Sequence, residues 1–125
     1  MEPKLTNRKE HEMFIESMLQ TSADIHYHHL NTRSFAEHKA LNYAYDALDG
    51  LTDSICEKLI GYAGRYNGTK IVTPSCKLME LSDCIDKLGR DLKTMASKNK
   101  WDDLVNTADE IIGISPQLKY LLTLS

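Results

Sequence analysis

Between residues 38 and 59, seven side chains recur at alternating steps of three and four: His38, Leu41, Tyr45, Leu48, Thr52, Ile55 and Leu59. A step averaging about 3.5 residues places them on one stripe of an α-helix, and a stripe this long has to be buried against other helices. The pattern excludes the period of two that a strand requires. The helix also declares its own start. In "SFAE", Ser34 is placed to cap the first turn and Glu37 to reach back, a capping box. Its end is expected near Gly61 or Gly64.

Three more stretches carry a helical period. The first is expected from about Arg8 to Asn31, with Asn7 and Glu10 as its capping pair. Phe14, Ile15, Met18, Leu19, Ser22 and Ile25 form its stripe. The third follows Thr73 and Pro74, an N-cap with a first-turn proline, and carries Leu78, Leu81, Ile85, Leu88, Leu92 and Met95. "SKNK" breaks it. The fourth starts near Lys100, with Trp101 as a packing anchor, then Leu104, Val105, Ala108, Ile111 and Ile112. Pro116 is expected to kink or end it, and the tail "QLKYLLTLS" is apolar enough to dock. The link "RYNGTKIVTPS" contains an Asn-Gly turn signal and a short extended piece at Lys70-Ile71-Val72. The expectation is an all-α four-helix bundle of antiparallel pairs, one domain over 1–125. Its longer second link serves as a crossover, the ferritin-like arrangement.

Composition narrows the function. With 42% apolar and 26% charged residues the 125-residue chain can bury one modest core, which oligomerisation would extend. A net charge of −3 argues against DNA binding through a basic surface. No apolar run approaches the roughly 20 residues that span a bilayer. The opening "MEPKLTNRKEHEMF" lacks the apolar centre of a signal peptide, so a cytoplasmic location is expected. Cys56, Cys76 and Cys84 are odd in number and lack CxxC spacing, so reduced, partly buried thiols are expected.

The candidate chemistry lies in "HYHHLNTRSFAEHKA", which holds His26, His28, His29 and His38. His26 and His29 share a face in the last turns of the first helix. Across a short antiparallel turn they come level with His38. His28 and His11 are expected at the surface. Asp46, Asp49, Asp53 and Glu57 form a stripe on the second helix, and Asp53 and Glu57 at i, i+4 can hold one ion jointly. Asp53 nevertheless stands about 22 Å along the axis from His38 at 1.5 Å per residue, whereas metal–ligand bonds are about 2 Å. One chain cannot bring both sets to one ion. Two copies with antiparallel second helices can, making the site twice per dimer. Two imidazoles with two carboxylates suit iron, and also manganese or zinc. Asp46, Asp49 and Tyr45 are candidates to support the ligands from outside, as Tyr27 and Tyr43 are by hydrogen bonding.

The offsets of His26, His38, Asp53 and Glu57 resemble the ferroxidase-site spacing of the Dps mini-ferritins. "HLNTRSFAEHKALNYAYDALDGLTDSICEKL" is similar to that family's first two helices, and the likeness covers about residues 14 to 62. The family's H-x-N pattern selects His29 here, while its twelve-residue spacing selects His26, so both stand as candidates. The ending "LKYLLTLS" also resembles small phage-encoded ferritin-like proteins. The likeness implies a ferritin-like bundle, a two-fold dimer at least and often a hollow dodecamer in that family, that oxidises Fe(II) with peroxide or oxygen and sequesters the product. In a phage-encoded relative the location would be the host cytoplasm. The chain departs from the family in being short after the second helix and in lacking a lysine-rich arm. The rival expectation is a catalytically silent bundle that sequesters a small ligand or docks a partner protein.

Overall fold

The computed structural model describes residues 9–68 and 75–125. It is all-α, with four helices and, among the described residues, no strand: α1 (Glu10–Asn31), α2 (Phe35–Ala63), α3 (Leu81–Asn99) and α4 (Asp102–Leu122). A single 3-10 turn, Leu78–Glu80, precedes α3. None of these helices is long and apolar enough to cross a membrane.

The caps explain where α2 and α3 stop and start. Ser34 Oγ accepts the Glu37 N–H at 3.2 Å. The return half of the expected box runs through Thr32 instead. The Thr32 hydroxyl donates to the Glu37 carboxylate and accepts the Ser34 N–H. α2 closes at Gly64, whose φ of 112° lies where only glycine is comfortable. α3 closes with the Trp101 N–H on the Ala96 carbonyl and the Lys100 N–H on Ser97, Lys100 taking the left-handed conformation usually given to glycine.

Two expectations about boundaries are corrected. α3 begins at Leu81, well after the proposed cap, because the 3-10 turn takes up the apolar Leu78. Asn7, the extended piece at 70–72, Thr73 and Pro74 lie outside the described residues. α4 runs through Pro116 to Leu122. Pro116 is exposed, so the carbonyl one turn earlier, which loses its N–H partner, sits on the side where water can replace it.

The stripe of α2 is inward as expected: Leu41, Leu48, Ile55 and Leu59 are fully buried. They meet Met18 and Ile25 of α1, Ile85 and Leu92 of α3, and Leu104, Ile111 and Leu118 of α4 in one core. α1 packs on α2 and α3, and α4 packs on α2 and α3. α3 and α4 approach closely at Gly89, where an added Cβ would lie 2.9 Å from the Ile112 backbone nitrogen.

Side-chain bonds fix the direction of each helix. The start of α1 meets the end of α2, where His11 Nε2 donates to the Gly64 carbonyl at 2.7 Å. It also meets the end of α3 through Lys98 and Glu10. The end of α2 meets the start of α4, where Tyr62 stacks on Trp101 and donates to Asp103. Lys119 near the end of α4 reaches Asp83 near the start of α3. The link from α2 is pinned at both ends of α1. The Asn67 N–H donates to Glu12 at 2.8 Å, and the Ser75 N–H donates to the buried Asp24 at 2.6 Å. The ends of α2 and α3 both lie beside the start of α1, so α2 and α3 point the same way.

The thiol expectation is also corrected. Cys76 and Cys84 form a disulfide, and Cys56 is free. Spacing in the sequence did not suggest the pair. The 3-10 turn folds the intervening residues back so that the two sulfurs meet.

Candidate functional site

The three-residue turn Thr32–Ser34 does what the sequence required of it. It brings the last turns of α1 beside the first turn of α2. The His29 ring stacks on the His38 ring with centroids 4.0 Å apart and planes 22° from parallel. His26 lies 6.2 Å from His29 and 4.6 Å from the Tyr45 ring, which is itself nearly parallel to His29 at 6.5 Å. His26 is exposed, while His29, His38 and Tyr45 are half-buried. The four rings form one aromatic cluster at a single end of the molecule.

Hydrogen bonding settles the tautomer of His38. Its Nδ1 lies 3.1 Å from the His29 carbonyl oxygen. A carbonyl can only accept, so Nδ1 carries the hydrogen and the neutral ring keeps its lone pair on Nε2. His29 is stranger. Both of its ring nitrogens are shielded from solvent, and neither has a hydrogen-bond partner. Burial first, then the neighbouring His38 and His26, hold its pKa below the usual imidazole value, while Asp46 pulls weakly the other way. The His29 ring is therefore a shielded imidazole with neither nitrogen engaged. Buried polar atoms are otherwise almost always paired.

The acidic half of the candidate site stands apart. Asp53 and Glu57 are exposed on the outer side of α2, as are Asp46 and Asp49. Asn42 donates to Asp46 at 3.3 Å. Cys56 lies between the two acids in sequence, and its thiol is pushed up to about 11 by burial and then by Asp53 and Glu57. Among the described residues of one chain, no three His, Cys, Asp or Glu side chains are placed to hold a metal ion. The structure thus brings together His26, His29, His38 and Tyr45, and leaves Asp53 and Glu57 facing outward.

Two histidines expected at the surface are not there. His11 is only 2% exposed and donates to Gly64. Its signal was present in the sequence, since it stands one turn before Phe14 and Ile15 on the inward stripe. His28 is half-buried and donates to the Cys76 carbonyl at 2.7 Å. Asp24 was not singled out at all. It is 2% exposed and is satisfied by the Ser75 N–H and by Gln20, a role that only the path of the link reveals.

Residues 29–122 match a family of unknown function, DUF5856. The chain belongs to this family. The DUF5856 match begins at His29 and takes in His38, Tyr45, Asp53 and Glu57, while His26 falls just outside it. An uncharacterized 14.6 kDa protein from the mobD-ri intergenic region of Enterobacteria phage T4 is 30% identical over 111 residues, 89% of this chain and 86% of that protein. No solved structure matches the chain. These likenesses are to DUF5856 and to a phage protein rather than to the mini-ferritins, so a ferritin-like reading rests on this chain's own residues and helix order.

Proposed function

We propose that this DUF5856 chain is a ferritin-like, Dps-type iron protein whose metal site is completed by a second copy. His29 and His38 of one chain supply nitrogen, with His26 beside them, and Asp53 and Glu57 of the partner supply oxygen. Fe(II) is the substrate and the cargo. The carboxylates favour the harder Fe(III), and peroxide or oxygen from solution takes the electrons. Manganese or zinc would suit the same donors. The observation that carries this reading is the pair of shielded, partnerless nitrogens on His29 beside a His38 whose tautomer leaves Nε2 free. Ligating imidazoles commonly donate their other N–H to a backbone carbonyl, as His38 does.

Two further features support it. Four helices in one core, with α2 and α3 both ending beside the start of α1, are compatible with a ferritin-like bundle. Asp53 and Glu57 are exposed, and an antiparallel α2 from a second copy would bring its own His38 level with them. Apposed acidic stripes would repel one another unless cations lie between them, so the dimer should tighten as metal binds.

The test is to load the protein with Fe(II) in air and measure bound metal and the rate of Fe(III) formation. Wild type should exceed the Asp53→Ala/Glu57→Ala double variant at least about tenfold, the loss typical when supporting ligands are removed. If neither protein binds more than trace metal, the reading fails. A second reading, a silent bundle that docks a partner or sequesters a small ligand, is favoured by one observation. Tyr27, Leu30 and Phe35 crowd the α1–α2 turn with 48%, 69% and 76% exposure.

A further inference from the structure

We propose that Cys76 and Cys84 are a reversible thiol–disulfide couple that governs how residues 75–77 are held between α1 and α3. Three attachments meet in this short segment. The Ser75 N–H donates to Asp24 of α1 at 2.6 Å. The Cys76 carbonyl receives the His28 ring N–H at 2.7 Å. The Cys76 sulfur is joined to Cys84 in the first turns of α3. The first two are single hydrogen bonds to the last turns of α1. The disulfide is the covalent tie that fixes where residues 75–77 rest against the start of α3. Both cysteines are half-buried rather than enclosed, so a thiol reagent can reach them, and attack depends on such access. The eight-residue separation makes the bridge local. Opening it would free the segment without cutting through the core.

The exchange balances with two molecules of a monothiol such as glutathione. The first thiolate attacks a sulfur of the pair, the Cys76–Cys84 bond breaks, and a mixed disulfide forms. A second molecule then resolves it. Two electrons and two protons end on Cys76 and Cys84, and the two thiols leave joined as their disulfide. In the open form residues 75–77 keep the two hydrogen bonds to α1 and the local bond from the Glu80 N–H to the Lys77 carbonyl, and the last turns of α1, which carry His28, lose their covalently anchored neighbour. The couple stands independently of iron binding.

The experiment equilibrates the full chain in glutathione buffers from strongly reducing to strongly oxidising, then alkylates it after denaturation and reads the mass. The closed form should take one label, on Cys56, and the open form three, with a midpoint inside the range. Amide exchange in the native state should rise about tenfold at residues 24–31 and 75–78 on reduction, as a local opening would give. Cys84→Ser should show the same pattern without reductant. If that variant loses its helical circular dichroism, the reduced wild type alone supplies the comparison. A pair that stays bridged, or stays open, across every buffer overturns the proposal. So does reduction that leaves exchange unchanged.

Discussion

The His29 imidazole lies against the His38 imidazole at 4.0 Å, and the His29 carbonyl accepts the His38 Nδ1–H. One residue thus supplies a ring that packs its neighbour and a carbonyl that orients it. His29 itself has no polar partner on either nitrogen. This asymmetry makes the pair a candidate site rather than a satisfied piece of core.

Because burial and two neighbouring imidazoles hold the His29 pKa below its value in the unfolded chain, the folded state resists protonating it. Its contribution to stability is intact above about pH 6.5, the unfolded value, and is lost as pH falls through the lower folded value. Thermal unfolding of metal-free protein between pH 7 and pH 5 should show wild type losing more Tm than His29→Asn. Equal losses would mean that His29 is protonated as readily in the folded chain.

Gly64 ends α2 with a φ of 112° and ψ of 173° and hands its carbonyl to His11. This backbone region is essentially reserved for glycine, at about 1–3 kcal/mol for any other residue. Gly64→Ala should cost that much in urea unfolding. Steric crowding is not the reason, since the nearest atom to an added Cβ is the flexible Lys9 Nζ at 3.6 Å.

Asp24 anchors the far end of the link. Its carboxylate is 2% exposed and accepts the Ser75 N–H at 2.6 Å. Asp24→Ala leaves that N–H without its acceptor and should cost about 1–3 kcal/mol by chemical denaturation. Asp24→Asn, which keeps an acceptor oxygen, should recover part of the loss.

Cys56 should be a slow thiol. With its pKa pushed up to about 11 by burial and by Asp53 and Glu57, the reactive thiolate is scarce at neutral pH. Alkylation of the native protein should lag behind a free cysteine and accelerate as pH rises. Replacing both acids by Asp53→Asn and Glu57→Gln should speed it modestly, because burial is the larger cause.

Much of this fold was legible because apolar period and capping chemistry are local. The alternation from His38 to Leu59 and the Ser34 cap match α2 closely, and the short turn stacks His29, one of the two candidates, on His38. What escaped the sequence depends on where distant segments meet. The anchoring of His11 on Gly64, the hold of Asp24 on Ser75 and the Cys76–Cys84 bridge join residues separated by 53, 51 and 8 positions. Each pairing depends on how the ends of elements are brought together in three dimensions, which no periodicity encodes. Pro116 does not end α4, because its exposed position leaves the freed carbonyl within reach of water, and exposure cannot be read from the residue alone.

The most direct test of the shared site is complementation. His29→Ala/His38→Ala and Asp53→Ala/Glu57→Ala are prepared separately, and each should bind only trace Fe(II). After unfolding and refolding together in equal amounts, half of the dimers combine one chain of each kind, and each of these holds one intact site of two. The mixture should therefore recover about a quarter of the wild-type metal capacity, the fraction that two-fold exchange dictates. A mixture that binds no more than either variant alone would contradict a site shared between two copies.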